Sequence, residues 1–179
     1  LDATCAVVDT VPTPRRSRGD RWRTLCCTRQ PDMALRLMSE AFWAALQRML
    51  GHWPCDIVQV EGIEMGPYAL RLRQWLGADC PTIVFDDHNA EFLLQQRACA
   101  ADARRPARWP AAAYSLVQWR RLLRYERQVC RAADAVVCVS EADAAALSRA
   151  IPGLMPMVVP NGVDMERYGG SATTPGEAI

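Results

Sequence analysis

The sequence has no lysine: all 21 of its basic residues are arginine. That absence removes chemistry that needs an ε-amino group, including a Walker A phosphate site, a Schiff-base nucleophile and the lysine of a signalling receiver domain. Histidine is almost as scarce, with His52 and His88 the only two, and the eight cysteines show no C-x-x-C spacing. A Cys/His zinc centre therefore has little to draw on. No G-x-G-x-x-G occurs among the ten glycines, which counts against a dinucleotide fingerprint. No apolar run approaches the ~20 residues that span a bilayer, and no basic-then-apolar leader opens the chain. Neither sign of charge is in excess: the formal net charge of +1 makes no electrostatic case for nucleic acid. Arginine and alanine enriched together without lysine read first as coding bias, which lowers the weight of any arginine-rich patch. The chain starts at Leu1 rather than methionine and is expected to be a fragment cut at both ends.

What is present is enough apolar material, half of 179 residues, for the core of one ordinary domain. Cys55, Cys130 and Cys138 sit in or beside apolar runs and read as small buried hydrophobes of a reduced compartment. Cys5 to Val8 and Arg23 to Cys27 are expected as short strands, separated by a breaker-rich loop from Pro12 to Gly19. Ser39 is placed to cap a helix through Leu50, where Phe42, Leu46 and Met49 recur at helical spacing before Gly51. Asp56 to Val60 has the composition of a buried strand, with Glu61-Gly62 at its carboxyl end. Pro67 suits the first turn of the next helix, which carries Leu70, Leu72 and Leu76 and stops at Gly77. Thr82 to Phe85 is a further strand, followed by the loop Asp86-Asp87-His88-Asn89 and a helix from Ala90 to about Ala103. Arg104 to Pro110 breaks the pattern. Ala111 to Ala132 is a long helix with Leu122, Tyr125, Val129 and Ala132 on one face.

The region from Ala133 to Asp164 is the most legible. Ala135 to Val139 is short and valine-rich, as a strand buried on both faces of a parallel sheet would be. Ser140 can cap the next turn while Asp143 answers its N–H, a capping box that opens a helix over Ala144 to Ala150, ended by Pro152-Gly153. Met157 to Val159 is a last strand and Pro160-Asn161-Gly162 a tight loop. Strands alternate with helices and no hairpin joins the clearer strands, so the sequence specifies an α/β fold, a Rossmann-like parallel sheet flanked by helices. Loops after the strands of such a sheet share one crevice. Glu61, Gly62, Asn89, Ser140, Glu141, Asn161 and Gly162 are therefore candidate substrate contacts. His88 is the candidate catalytic residue, since imidazole can donate or accept near neutral pH.

Each of these has an ordinary structural reading beside the functional one. His88 can tie down its own loop, Ser140 is a helix cap beneath which N–H groups can still receive an anion, and Asn161-Gly162 follows from turn geometry. Asp86-Asp87 can end a strand or form an acid pair for a metal, with only scattered carboxylates to accompany it. Glu91 can orient the His88 loop or cap the helix after it. From Arg97 to Arg131, nine arginines stand against Asp102 and Glu126, either as a surface for anionic lipid or as a solvated helix face.

Three segments carry a resemblance. FDDHNAE from Phe85, with Leu94 and Arg97 after it, Tyr125-Glu126 ahead of Arg131-Ala132-Ala133-Asp134, and DAVVCVSEADAAAL followed by VVPNGVD resemble, in this order, the N-terminal domain of GT-B glycosyltransferases of the family 4 type. The resemblance covers roughly Asp56 to Asp164. It implies that residues 1–164 are the acceptor-side, N-terminal half of a GT-B fold lacking its first strand and Gly-rich loop. Residues 165–179 would begin the interdomain linker, with the donor-binding C-terminal domain absent and the fragment alone inactive. The implied activity is retaining transfer of a sugar from a nucleotide-sugar donor to a carbohydrate or lipid-linked acceptor, in polysaccharide or glycoconjugate biosynthesis, with no obligatory metal or cofactor. His88 is then the histidine near the reaction centre, and Asn161-Gly162 borders the interdomain cleft. The implied setting is the cytoplasm, with peripheral contact to the inner face of a membrane through Arg97 to Arg131 as one option and no nucleic-acid partner. Two alternatives stay open: a non-catalytic GT-B-like module and a Rossmann-like nucleotide-binding module.

Overall fold

A computed structural model describes residues 4–162, so Val163 and Asp164 of the PNGVD segment and the expected linker 165–179 lie outside the described residues. Four strands, β1 (Ile57–Glu61), β2 (Thr82–Asp87), β3 (Ala135–Cys138) and β4 (Met157–Val158), form one sheet in the order β1-β2-β3-β4, parallel throughout. Around it run α1 (Arg18–Cys27), α2 (Glu40–His52), α3 (Gly66–Leu76), α4 (Glu91–Ala103), α5 (Trp109–Ala132) and α6 (Glu141–Ala150). Parallel neighbours cannot be joined by a hairpin, and α3, the α4–α5 pair and α6 supply the three crossovers. The α/β, Rossmann-like expectation holds.

Register shows where the core sits. Val60, Phe85 and Val136 are partners across β1, β2 and β3 and are all buried; two residues on, Asp87 pairs with Cys138 on the same face. Leu122, Tyr125, Val129 and Cys130 of α5 belong to the same cluster. Phe85, fully buried at its centre, contributes roughly 3 kcal/mol relative to exposure. Val84 and Val137, pointing the other way, are only half-buried, so β3 is fully covered on one face rather than two.

The local signals account for most boundaries. Ser39 Oγ accepts the Phe42 N–H at 3.3 Å and starts α2, which runs past Gly51 to His52. Phe42, Leu46 and Met49 are half-buried, while Trp43 and Ala45 make the buried contacts of that helix. Pro67 lies in the first turn of α3 and Gly77 ends it with a φ of 56°. Pro110 likewise sits in the first turn of α5, so the expected break stops at Arg108.

Several expectations are overturned. Cys5 to Val8 forms no strand, and Arg23 to Cys27 lies in α1. Ser17 Oγ accepts the Asp20 N–H at 3.2 Å and Asp20 accepts the Ser17 N–H at 2.8 Å, a capping box that commits the following residues to a helix. Asp86 and Asp87 are the last two residues of β2 rather than loop, because β3 continues beside them in the register Asp86↔Val137 and Asp87↔Cys138. Cys55 is exposed, since it falls in the turn before β1; Cys130 and Cys138 are buried. Among the described residues no helix is long and apolar enough to cross a membrane.

Candidate functional site

All four strands run the same way, so their carboxyl ends lie on one edge. Glu61-Gly62 ends β1, His88-Asn89 follows β2, Ser140-Glu141 follows β3, and Asn161-Gly162 lies beyond β4. Hydrogen bonds tie the edge together. The Gly62 N–H donates to Asp86 C=O at 2.9 Å and the Val159 N–H to Cys138 C=O at 2.9 Å. Asp143, in the first turn of α6, accepts the Ala90 N–H through Oδ1 at 3.2 Å and the Ser140 hydroxyl through its other oxygen. The loops after β2 and β3 therefore hold each other through one carboxylate. Gly62 has a φ of 79°, a turn that side-chain-bearing residues rarely adopt, and it lets the chain leave β1 sharply.

Glu61, His88, Asn89, Glu141, Asn161 and Gly162 are exposed on this edge; Gly62 and Ser140 are half-buried. The His88 side chain is 52% exposed and its Nε2 stands 4.0 Å from Asp86 Oδ1, too far for a hydrogen bond. The imidazole is thus held near the edge by its backbone and left open to a ligand. Glu61 accepts from Gln59 Nε2 at 3.3 Å. Ser140 caps α6, accepting the Asp143 N–H at 3.1 Å, and its hydroxyl proton goes to the Asp143 carboxylate. Asp143 therefore answers the Ser140 hydroxyl and the Ala90 N–H rather than the Ser140 N–H.

Two sequence readings change here. Asp86 and Asp87 are successive strand residues pointing to opposite faces, so they do not converge on one ion. Glu91 does not cap α4: the first-turn N–H of Phe92 donates to Glu126 Oε2 at 3.0 Å, from α5. Glu91 is half-buried instead, and burial followed by the nearby Glu64 pushes its carboxyl up, with His88 opposing.

Sequence reasoning named Asp87 and Glu126 but missed that both are buried beneath the edge. Asp87 and Glu126 are each 1% exposed. Burial, then the Glu126 charge, pushes the Asp87 carboxyl well up; burial pushes Glu126 up as well. A signal existed for Glu126, which stands four residues after Leu122 and four before Cys130, inside the apolar stripe of α5. Beside β1, a cavity of about 250 Å³ lined by Phe42, Leu46, Val58, Gln59, Tyr68 and Leu72 reaches this edge at Glu61 and Met65.

The family model for Glycosyltransferase Family 4 matches residues 5–167. No curated protein and no solved structure gives a match.

Proposed function

The chain belongs to Glycosyltransferase Family 4, and from that premise we propose that its strand-end edge is the acceptor side of a glycosyl-transfer cleft. The donor is a nucleotide-sugar and the acceptor a hydroxyl of a carbohydrate or lipid-linked sugar, in polysaccharide or glycoconjugate synthesis. The bond from the anomeric carbon to the diphosphate breaks, the acceptor oxygen takes its place with retention, and the hydroxyl proton leaves with the diphosphate. Negative charge grows on the leaving group, so fixed dipoles and donors count for more than a strong base, and no divalent metal is required. His88 takes the sugar hydroxyls beside the reacting carbon, while Gly62, Asn89, Ser140 and Glu141 line the acceptor side and Asn161-Gly162 borders the donor.

The observation that carries this reading is an exposed, unbonded imidazole at the end of β2, on the same edge as the three other strand-end loops. Donor binding belongs to a C-terminal domain in this reading, so the activity is that of the full-length protein, acting in the cytoplasm. The Arg97 to Arg131 surface then lies toward anionic lipid when the acceptor is lipid-linked. The test is transfer from a radiolabelled nucleotide-sugar by full-length protein. His88→Ala is expected to lower turnover by ~10²-fold or more with circular dichroism unchanged, and a chelator to leave the parent rate intact. Parent-level turnover in His88→Ala removes His88 from the site.

A further inference from the structure

The neighbouring residues Tyr125 and Glu126 on α5 each reach a different strand-end loop. Tyr125 Oη donates to Ile63 C=O at 3.3 Å, in the turn after β1. Glu126 accepts the Phe92 N–H through Oε2 at 3.0 Å, at the opening of α4. His88 and Asn89 lie in the short span between that opening and Asp87, the last residue of β2. Asp87 is within hydrogen-bonding reach of Glu126. Neither Asp87 oxygen nor Glu126 Oε1 meets any other donor among the described residues. Two bare carboxylates side by side in a core repel without solvent to screen them; one proton between them turns the repulsion into a hydrogen bond.

We infer that Asp87 and Glu126 form one positioning unit, joined by a shared proton, that clasps both ends of the loop carrying His88 and sets the place of its imidazole on the edge. Asp87 holds the strand end and Glu126 holds Phe92 in the first turn of α4, so the four residues between, 88–91, have both anchors in the same buried pair. Asp143, reached from α6, adds a third hold at Ala90. The groups facing the pair are Glu91 on α4, Asp143 on α6, the Cys130 thiol on α5 and the Cys138 thiol beside Asp87 on β3, with Glu64 and His88 facing Glu91. Among the described residues no cation faces the pair directly, so loss of the shared proton goes uncompensated and drives Glu126 off the α4 opening.

The inference rests on the reading of His88 given above, and two measurements separate them. In the full-length protein, Glu126→Ala is expected to lower turnover about tenfold or more with KM within about twofold of the parent. Glu126→Gln, whose amide oxygen still accepts from Phe92 while its N–H donates to Asp87, is expected to restore most of it. In the chain carrying labelled histidine, NMR resolves His88 against His52, whose Nδ1 lies 2.8 Å from Arg48 C=O on α2 and which serves as an internal control. The His88 resonance is expected to move in a further step, as the pair loses its shared proton, that His52 lacks, and this step is expected to vanish in Asp87→Asn, which keeps a donor toward Glu126 but not the shared acid proton. Loss of turnover in His88→Ala, combined with parent behaviour of Glu126→Ala and Asp87→Asn in both measurements, overturns the positioning role and leaves the site. Parent turnover in His88→Ala overturns the site, and the resonance alone then decides: no such further step in the parent sinks the unit. If Glu126→Ala does not fold, the two near-isosteric variants carry the same comparison.

Discussion

Buried acids give this chain a pH dependence opposite in sign to that of most carboxylates. Asp87 and Glu126 have raised folded values, caused first by burial. In the unfolded chain both titrate near pH ~4. Between there and the folded values, the native state keeps protons that the unfolded state has lost. The stabilising contribution of the pair is therefore fully present below the unfolded values and is lost as pH rises through the folded ones. Asp134 runs the other way: the Ile83 N–H and then Arg73 hold it low, so its contribution appears above its unfolded value and is lost as pH falls through the folded one. Urea midpoints for the parent chain are expected to fall from pH 5 to pH 8, with a slope of up to ~1.4 kcal/mol per pH unit for each proton released, and Asp87→Asn is expected to flatten that fall. An unchanged slope in the variant removes the pair as its source. At this scale the sequence was half legible. His88 and its neighbours stand where strand-end geometry puts them, but Asp86-Asp87 looks like loop because two acids seldom end a buried strand. Only the unseen partner Glu126 makes the second of them tolerable.

Among the helices, α5 does more than cover the sheet. Arg121 donates to Leu25 C=O at 2.8 Å and so closes α1, Arg127 donates to Ala150 C=O at 2.9 Å and closes α6, and Glu126 opens α4. Its own last carbonyl, Ala132 C=O, accepts from Arg73 of α3 at 2.9 Å. Arginines that composition alone marks as coding bias thus supply the C-terminal cations that helix ends favour. The approach of α3 to α5 depends on Gly66, where an added Cβ would stand 2.7 Å from Tyr125 Oη and 2.7 Å from Val129 Cγ2. Both neighbours are buried in the core, so they cannot swing away freely. Gly66→Ala is expected to cost about 1–3 kcal/mol, enough to outweigh the helix propensity it gains. Gly51→Ala, in open space near the end of α2, is expected to be neutral or to stabilise by up to ~1 kcal/mol. Equal urea midpoints for the two variants would contradict this account of the crossing. Helix signals were readable wherever a cap and a stripe coincided, as at Ser39 and Ser140. They were missed at α1, where Ser17 and Asp20 form a full capping box but Trp22 to Cys27 has no stripe, being mostly exposed, and so reads as a short strand.

Over the whole molecule, alternation of runs specifies a parallel sheet but not its order, because order follows from which helices cover which strands, and no single run encodes that. Charge is organised at the same scale. Of 21 basic and 20 acidic residues, nine and two lie between Arg97 and Arg131, leaving twelve and eighteen for the rest of the chain, so a net charge of +1 conceals one basic region against an acidic remainder. One of those two acids, Glu126, is buried, and the other, Asp102, pairs with Arg108 at 3.0 Å. Arg97, Arg104, Arg105, Arg120, Arg124 and Arg131 are exposed without a carboxylate partner among the described residues. On α5, Trp109, Val117, Arg120, Arg124 and Arg131 recur at steps of three, four, seven or eight residues, opposite the buried stripe, with Trp109 61% exposed. An aromatic and an aliphatic side chain beside a row of guanidinium groups is the composition that settles at an anionic lipid surface rather than in bulk water. The proposed lipid contact therefore makes a direct prediction. The chain is expected to sediment with phosphatidylcholine vesicles that contain phosphatidylglycerol and not with phosphatidylcholine alone, and to be released as salt is raised. At about 1 kcal/mol for each arginine at the surface, replacing Arg120, Arg124 and Arg131 together by glutamine is expected to weaken binding on the order of 10²-fold. Equal recovery on both vesicle types, or no loss in the triple variant, would show that this helix face meets only solvent.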